Sequence, residues 1–69
     1  MERTAVNSSN LASVGYDGPS QTLEIEFRHG GVYQYYDVPE HVYKELINAG
    51  SIGSYFSQNI RNAYPTQKI

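Results

Sequence analysis

Three tyrosines fall within four positions, Tyr33, Tyr35 and Tyr36, in a segment entered through Gly30-Gly31 and left through Val38-Pro39. The whole chain carries seven tyrosines in 69 residues. Tyrosine joins a large apolar ring to a polar tip, so it serves a core or a binding surface equally well. As a contact, such a ring stacks on the flat face of a nucleobase, worth about 1–3 kcal/mol per base. Arginine supplies the complementary chemistry: Arg61, and with it Arg28, can meet a phosphate or carboxylate through two parallel hydrogen bonds. Ser51 precedes a short helical pattern whose first N–H groups are free for an anion, and Tyr55 lies on that same stretch. The ligand-binding residues expected from type and spacing are therefore Tyr36, Arg61, Tyr33, Tyr35, Arg28, Ser51 and Tyr55.

Other chemistries find less support. There is no cysteine, which excludes disulfides and thiolate-held zinc. His29 and His41 have no companion at metal-ligand spacing, and neither has a nearby nucleophile or carboxylate that reads as a dyad. A chain this short has little interior to spare for a water-excluding active site. The expectation is no enzyme, no metal and no cofactor. Five Lys and Arg stand against seven Asp and Glu, a net charge of −2, and the basic residues are scattered. A protein that grips a long phosphate backbone draws its affinity from clustered cations, so long DNA is not an expected partner. No apolar run approaches the roughly 20 residues of a membrane span, and Met1–Val6 lacks a signal-peptide core. A cytoplasmic location is expected.

The elements that must position these side chains follow from periodicity. Residues 1–8 are polar and aperiodic, and read as a flexible N-terminus. An extended segment runs through Leu11, Val14 and Tyr16, with a bulge predicted near Ala12-Ser13 because its apolar residues fall out of alternation. Asp17-Gly18-Pro19-Ser20 is a turn. Thr22–Arg28 alternates strictly, with Leu23, Ile25 and Phe27 on one face and Thr22, Glu24, Glu26 and Arg28 on the other. A three-residue loop His29-Gly30-Gly31 pairs Arg28 with Val32, Phe27 with Tyr33 and Ile25 with Tyr35. That register places Tyr33 and Tyr35 on the apolar face, and Val32, Gln34 and Tyr36 with the carboxylates.

Pro39 opens a helix whose stripe is Val42, Leu46 and Ala49, widened by Tyr43 and Ile47. Gly50 ends it, and Ser51 caps a second short helix carrying Ile52, Tyr55, Phe56 and Ile60. The predicted fold is α+β, a three-stranded antiparallel β-meander with two short C-terminal helices packed on one face. The folded domain spans 9–64, and 65–69 is a C-terminal tail. The expected core is Leu11, Val14, Leu23, Ile25, Phe27, Tyr33, Tyr35, Val38, Val42, Leu46, Ala49, Phe56 and Ile60.

The same residues carry a family resemblance. Ser8-Ser9, Val14-Gly15-Tyr16-Asp17, Leu23-x-Ile25-x-Phe27, Gly30 and Tyr33-x-Tyr35 appear in the order that the KTSC domain shows. Val38-Pro39, Val42, Leu46, Ala49, Ser51-x-Gly53, Phe56 and Ile60-Arg61 continue it, so the chain resembles that family from about Ser8 to Tyr64. The family is named for the C-terminus of lysyl-tRNA synthetases, where some members are found, while others stand alone. The resemblance implies a role in RNA binding drawn from that attachment, and it brings no catalytic residues.

Two functions stand open at this point. One is a non-catalytic binding module for a nucleotide-type ligand, an RNA element or a small free nucleotide. The other is a protein-interaction or homo-oligomeric module, anchored by exposed tyrosines or by pairing of the Leu11–Tyr16 edge. Tyr33 and Tyr35 fit both a core over Ile25 and Phe27 and a stacking surface. Arg61 fits both a helix C-terminus and an anion contact. Tyr36 is a better contact candidate than Tyr33 or Tyr35 because the expected register exposes it, but it shares a face with Glu24 and Glu26, which repel phosphate.

Overall fold

Alternation in Thr22–Phe27 builds the centre of a sheet. In the computed structural model, which describes residues 1–69, the strands are β1 (Thr4–Ala5), β2 (Leu11–Asp17), β3 (Thr22–Phe27), β4 (Val32–Tyr35) and β5 (Thr66–Lys68). The helices α1 (Glu40–Ile47) and α2 (Ile52–Asn59) lie between β4 and β5 in sequence. The strands form one antiparallel sheet in the order β1-β2-β3-β4-β5. The protein is α+β, as its patterning predicts, but the sheet has five strands rather than three. The two added strands come from the segments assigned to the N-terminus and the tail. They are two and three residues long and entirely exposed, so no apolar alternation marks them. Backbone pairing alone defines them. A further correction follows: β2 is not an edge, because Thr4 and Ala5 pair with Val14 and Ser13.

The bulge falls where the broken alternation predicts it, as the β2–β3 register shifts between Leu11 and Ser13. This extra residue returns both Leu11 and Val14 to the inner face, where each is 1% exposed.

The hairpin between β3 and β4 differs from expectation by one residue in its loop and two in its pairing. Phe27 N–H donates to Gly31 O (3.1 Å) and Gly30 N–H to Phe27 O (3.0 Å), so the three loop residues are Arg28-His29-Gly30. Gly30, at φ 115°, takes the left-handed position that this loop requires. Ile25 therefore faces Tyr33, Leu23 faces Tyr35 and Glu26 faces Val32. The loop starts early because Arg28 N–H is already committed to Asn10 O at 2.9 Å, immediately before β2. A shift of two preserves the side-chain faces, so Tyr33 and Tyr35 still share the side of Leu23 and Ile25.

Both helices pack on that side. Val42 and Leu46 of α1, with Phe56 of α2 and Ile60 just after it, join Leu11, Val14, Leu23, Ile25, Tyr35 and Val38 in one core. Three expected members, Phe27, Tyr33 and Ala49, are only half-buried. For Phe27 and Tyr33 the reason is geometric: both stand beside the hairpin tip, where Phe56 of α2 packs on Phe27, Phe27 packs on Tyr33, and both rings border a cleft. Ser51 caps α2 as its position predicts, its Oγ accepting from Ser54 N–H at 3.3 Å.

Candidate functional site

The half-buried rings of β3 and β4 meet α2 in a cluster centred on Phe27. Its ring lies edge-on to Tyr33 and to Phe56, each at 5.5 Å between centroids, and His29 stacks on it at 5.3 Å. Tyr35 meets Phe56 edge-on at 5.4 Å. Edge-to-face pairs of this kind contribute about 0.5–1.5 kcal/mol beyond their buried area, so they hold the rings rigidly. They frame a cleft of about 460 Å³ whose wall also includes Asn10, Leu11, Gly53, Ser57 and Arg61.

The position of Arg61 follows from the end of α2. Ile60 is fully buried and anchors the turn, and Arg61 N–H bonds back to Phe56 O at 3.0 Å. The side chain is thereby left at the cleft rim, where it forms no ion pair. Its charge reaches the Tyr35 hydroxyl. Burial pushes the pKa of that hydroxyl up, while a hydrogen bond involving Thr66 and the Arg61 charge pull it down. No Asp or Glu lines the cleft. His29 thus has no carboxylate within the cleft to work with. The arrangement suits a flat aromatic group carrying a negative charge.

The acidic residues of the central strand project to the opposite face of the sheet. Glu24 is 4% exposed there. It accepts from Gln34 Nε2 at 2.9 Å and pairs with Arg3, whose Nε donates to Ser13 Oγ at 3.0 Å. Ser13 Oγ donates onward to Glu26 Oε1 at 2.9 Å. The Gln34 hydrogen bond, opposed by burial and helped by Arg3, holds the Glu24 carboxyl below the usual carboxylate range. Gly15 lets the N-terminal strand close over this face. A Cβ there would collide with the Glu2 carbonyl oxygen.

The expected site residues therefore separate. Tyr33, Tyr35 and Arg61 come together in the cleft. Tyr36 lies on the carboxylate face, its hydroxyl donating to Gln34 Oε1 at 3.0 Å. Arg28 reaches back from the hairpin, its Nε donating to Ser8 O at 2.6 Å. Ser51 lines an adjoining polar groove of about 360 Å³ beside Asn7–Asn10. Tyr55 ties the helices together through its hydroxyl, which donates to Glu45 Oε1 at 2.8 Å, and burial followed by Glu45 pushes its pKa up. Phe27, His29 and Phe56 are cleft residues that the sequence reading did not place in the site. The alternation of β3 puts Phe27 beside Tyr33 and Tyr35, and was the available signal.

Known proteins share this framework. The model of the KTSC domain matches residues 7–64. An uncharacterised protein of Stutzerimonas stutzeri is 47% identical over 58 residues, covering 84% of this chain and 82% of that protein. A lysine–tRNA ligase of Nostoc punctiforme is 36% identical over 61 residues, where the match covers 88% of this chain but 11% of the ligase. The crystal structure of a KTSC domain protein from Yersinia pestis superposes with a TM-score of 0.97 at 40% identity, covering 99% of this chain and 96% of that one. No helix is long and apolar enough to cross a membrane. With a family match over most of its length and a near-complete structural match at that identity, the chain belongs to the KTSC domain family.

Proposed function

We propose that this chain is a non-catalytic binding module for a nucleotide-type ligand, which seats its base in the cleft walled by Phe27 and Tyr33 and its phosphate on Arg61. One observation carries the reading: an arginine without an intramolecular partner stands on an aromatic cleft that contains no acid. Base-on-ring stacking is tolerant of base identity, and Arg61 adds direction and charge. The net charge of −2 does not oppose this, because Glu24 and Glu26 face away from the cleft.

Titration with adenosine 5′-monophosphate, followed by amide chemical shifts, tests the reading. Shifts are expected at Tyr33, Phe27 and Arg61, with Arg61→Ala weakening binding by about tenfold. Tyr36→Ala, on the other face, leaves the affinity unchanged. Saturable shifts confined to the carboxylate face, or none at all, would reject it. The alternative, a protein-interaction or homo-oligomeric module, draws on the outer edge of β5 and the neighbouring Ile69, which is 58% exposed. An oligomeric mass that persists in Arg61→Ala, with no nucleotide bound by the parent, would favour that second reading.

A further inference from the structure

Two of the five basic side chains make neither an ion pair nor a hydrogen bond. Arg3 pairs with Glu24, Lys44 with Glu40 at 3.6 Å, and Arg28 is engaged with Ser8 O. Arg61 and Lys68 remain. Lys68 belongs to β5 and stands directly opposite Tyr33, so the two side chains share the cleft face of the sheet. Its stem lies against the hairpin. A Cβ at Gly31 would stand 3.3 Å from Tyr33 Cε1, 3.4 Å from Lys68 Cε and 3.9 Å from Lys68 Nζ. The ammonium group is therefore held beside the Tyr33 end of the aromatic row, whereas Arg61 is tied by its backbone to Phe56, whose ring meets Tyr35. Tyr33 and Tyr35 are two residues apart on one strand, about 6.8 Å along it. A free cation thus stands towards each end of a short aromatic row, Arg61 in the cleft wall and Lys68 beside the cleft next to Tyr33.

We propose that Lys68 is a second anion contact, and that the site takes a nucleoside phosphorylated on both its 5′ and 3′ sides, one phosphate on Arg61 and the other on Lys68. This rests on the nucleotide reading above and narrows it. A base between two phosphates occurs within a single strand of nucleic acid and also in a free nucleoside 3′,5′-bisphosphate. Both offer the same chemistry to the cleft. Lys68 also has a merely structural use, in which its methylenes cover the Tyr33 ring while its head stays in water. Replacement by methionine keeps the stem and removes the charge, so it separates the two roles.

The experiment compares affinities of the intact protein for adenosine 5′-monophosphate and adenosine 3′,5′-bisphosphate by calorimetry. The bisphosphate is expected to bind about tenfold tighter, as one further charge-assisted contact implies. Lys68→Met should abolish that gain and flatten its salt dependence, while Lys44→Met, whose charge lies on α1, should retain it. Equal binding of the two ligands, or a gain that survives in Lys68→Met, overturns the proposal and leaves the single-phosphate reading standing. Failure of both ligands to bind removes the nucleotide reading and this proposal with it. The trinucleoside diphosphate of adenosine separates the sources. Tighter binding than the bisphosphate identifies a strand, and weaker binding identifies the free nucleotide.

Discussion

Arg3 and Glu24 form an ion pair across 21 positions of sequence, joining the approach to edge strand β1 to the centre of β3. The Glu24 side chain is 6% exposed and that of Arg3 29%. Removing the arginine leaves a buried carboxylate with only Gln34 as donor, and losing one partner of a buried pair is costly. Because Arg3 is partly solvated, the expected loss for Arg3→Ala is about 1–3 kcal/mol. Urea denaturation measures it, and an unchanged midpoint would show that the Arg3–Glu24 pair contributes nothing to stability.

The same carboxylate makes stability depend on pH. Its pKa in the folded protein lies below the unfolded value, so the unfolded chain binds the proton first as acid is added. The contribution is complete above the unfolded pKa of about 4.3 and is lost as pH falls through the folded value. Thermal melts from pH 7 to pH 3 should show a decline that begins near pH 5. Glu24→Gln should flatten that decline. A variant profile parallel to the parent's would assign the acid sensitivity to other groups.

Among the glycines, only Gly15 stands where a neighbouring backbone leaves no room for a methyl group. Gly15→Ala must displace Glu2 and Arg3, an overpacking change expected to cost about 1–3 kcal/mol. Its amide shifts should be confined to β1, β2 and the Glu24 network. Changes centred on α1 would contradict the placement of the N-terminal strand.

Phe56 and Phe27 are neighbours with different burial, and their truncations should rank accordingly. Phe56, 5% exposed, is expected to cost about 3–5 kcal/mol as Phe56→Ala. Phe27→Ala should cost less, because one side of its ring already faces the cleft. Equal or inverted losses by chemical denaturation would mean that the cleft closes in solution.

Ser51→Ala removes the one side-chain cap of α2 and should cost about 1 kcal/mol. Ser51→Gly should cost only a few tenths. If the two variants are equally destabilised, the hydroxyl bond to Ser54 is not what holds the start of α2.

Alternation in Thr22–Phe27, the broken alternation at Ala12-Ser13, the glycines after His29 and the serine before Ile52 each act through local geometry. They were therefore legible from residue order. The faces of Tyr33 and Tyr35 were legible for a related reason: moving the hairpin loop by one residue shifts the pairing by two, and a strand repeats every two residues. Whether those rings were core or contact was not. That depended on how far α2 reaches over the sheet, which left Phe27 and Tyr33 half-open and drew Arg61 to them.

β1 and β5 were invisible for a different reason. Neither buries a side chain, and each exists because a neighbouring strand offers an unpaired row of N–H and C=O groups. Periodicity and turn residues by themselves determined the inner strands and the helices, and the order of the motif residues carried the family resemblance. Only the tertiary structure brought Arg3 to Glu24 and Lys68 to Tyr33, because pairing between distant segments is set by where the chain returns, not by what precedes or follows a residue.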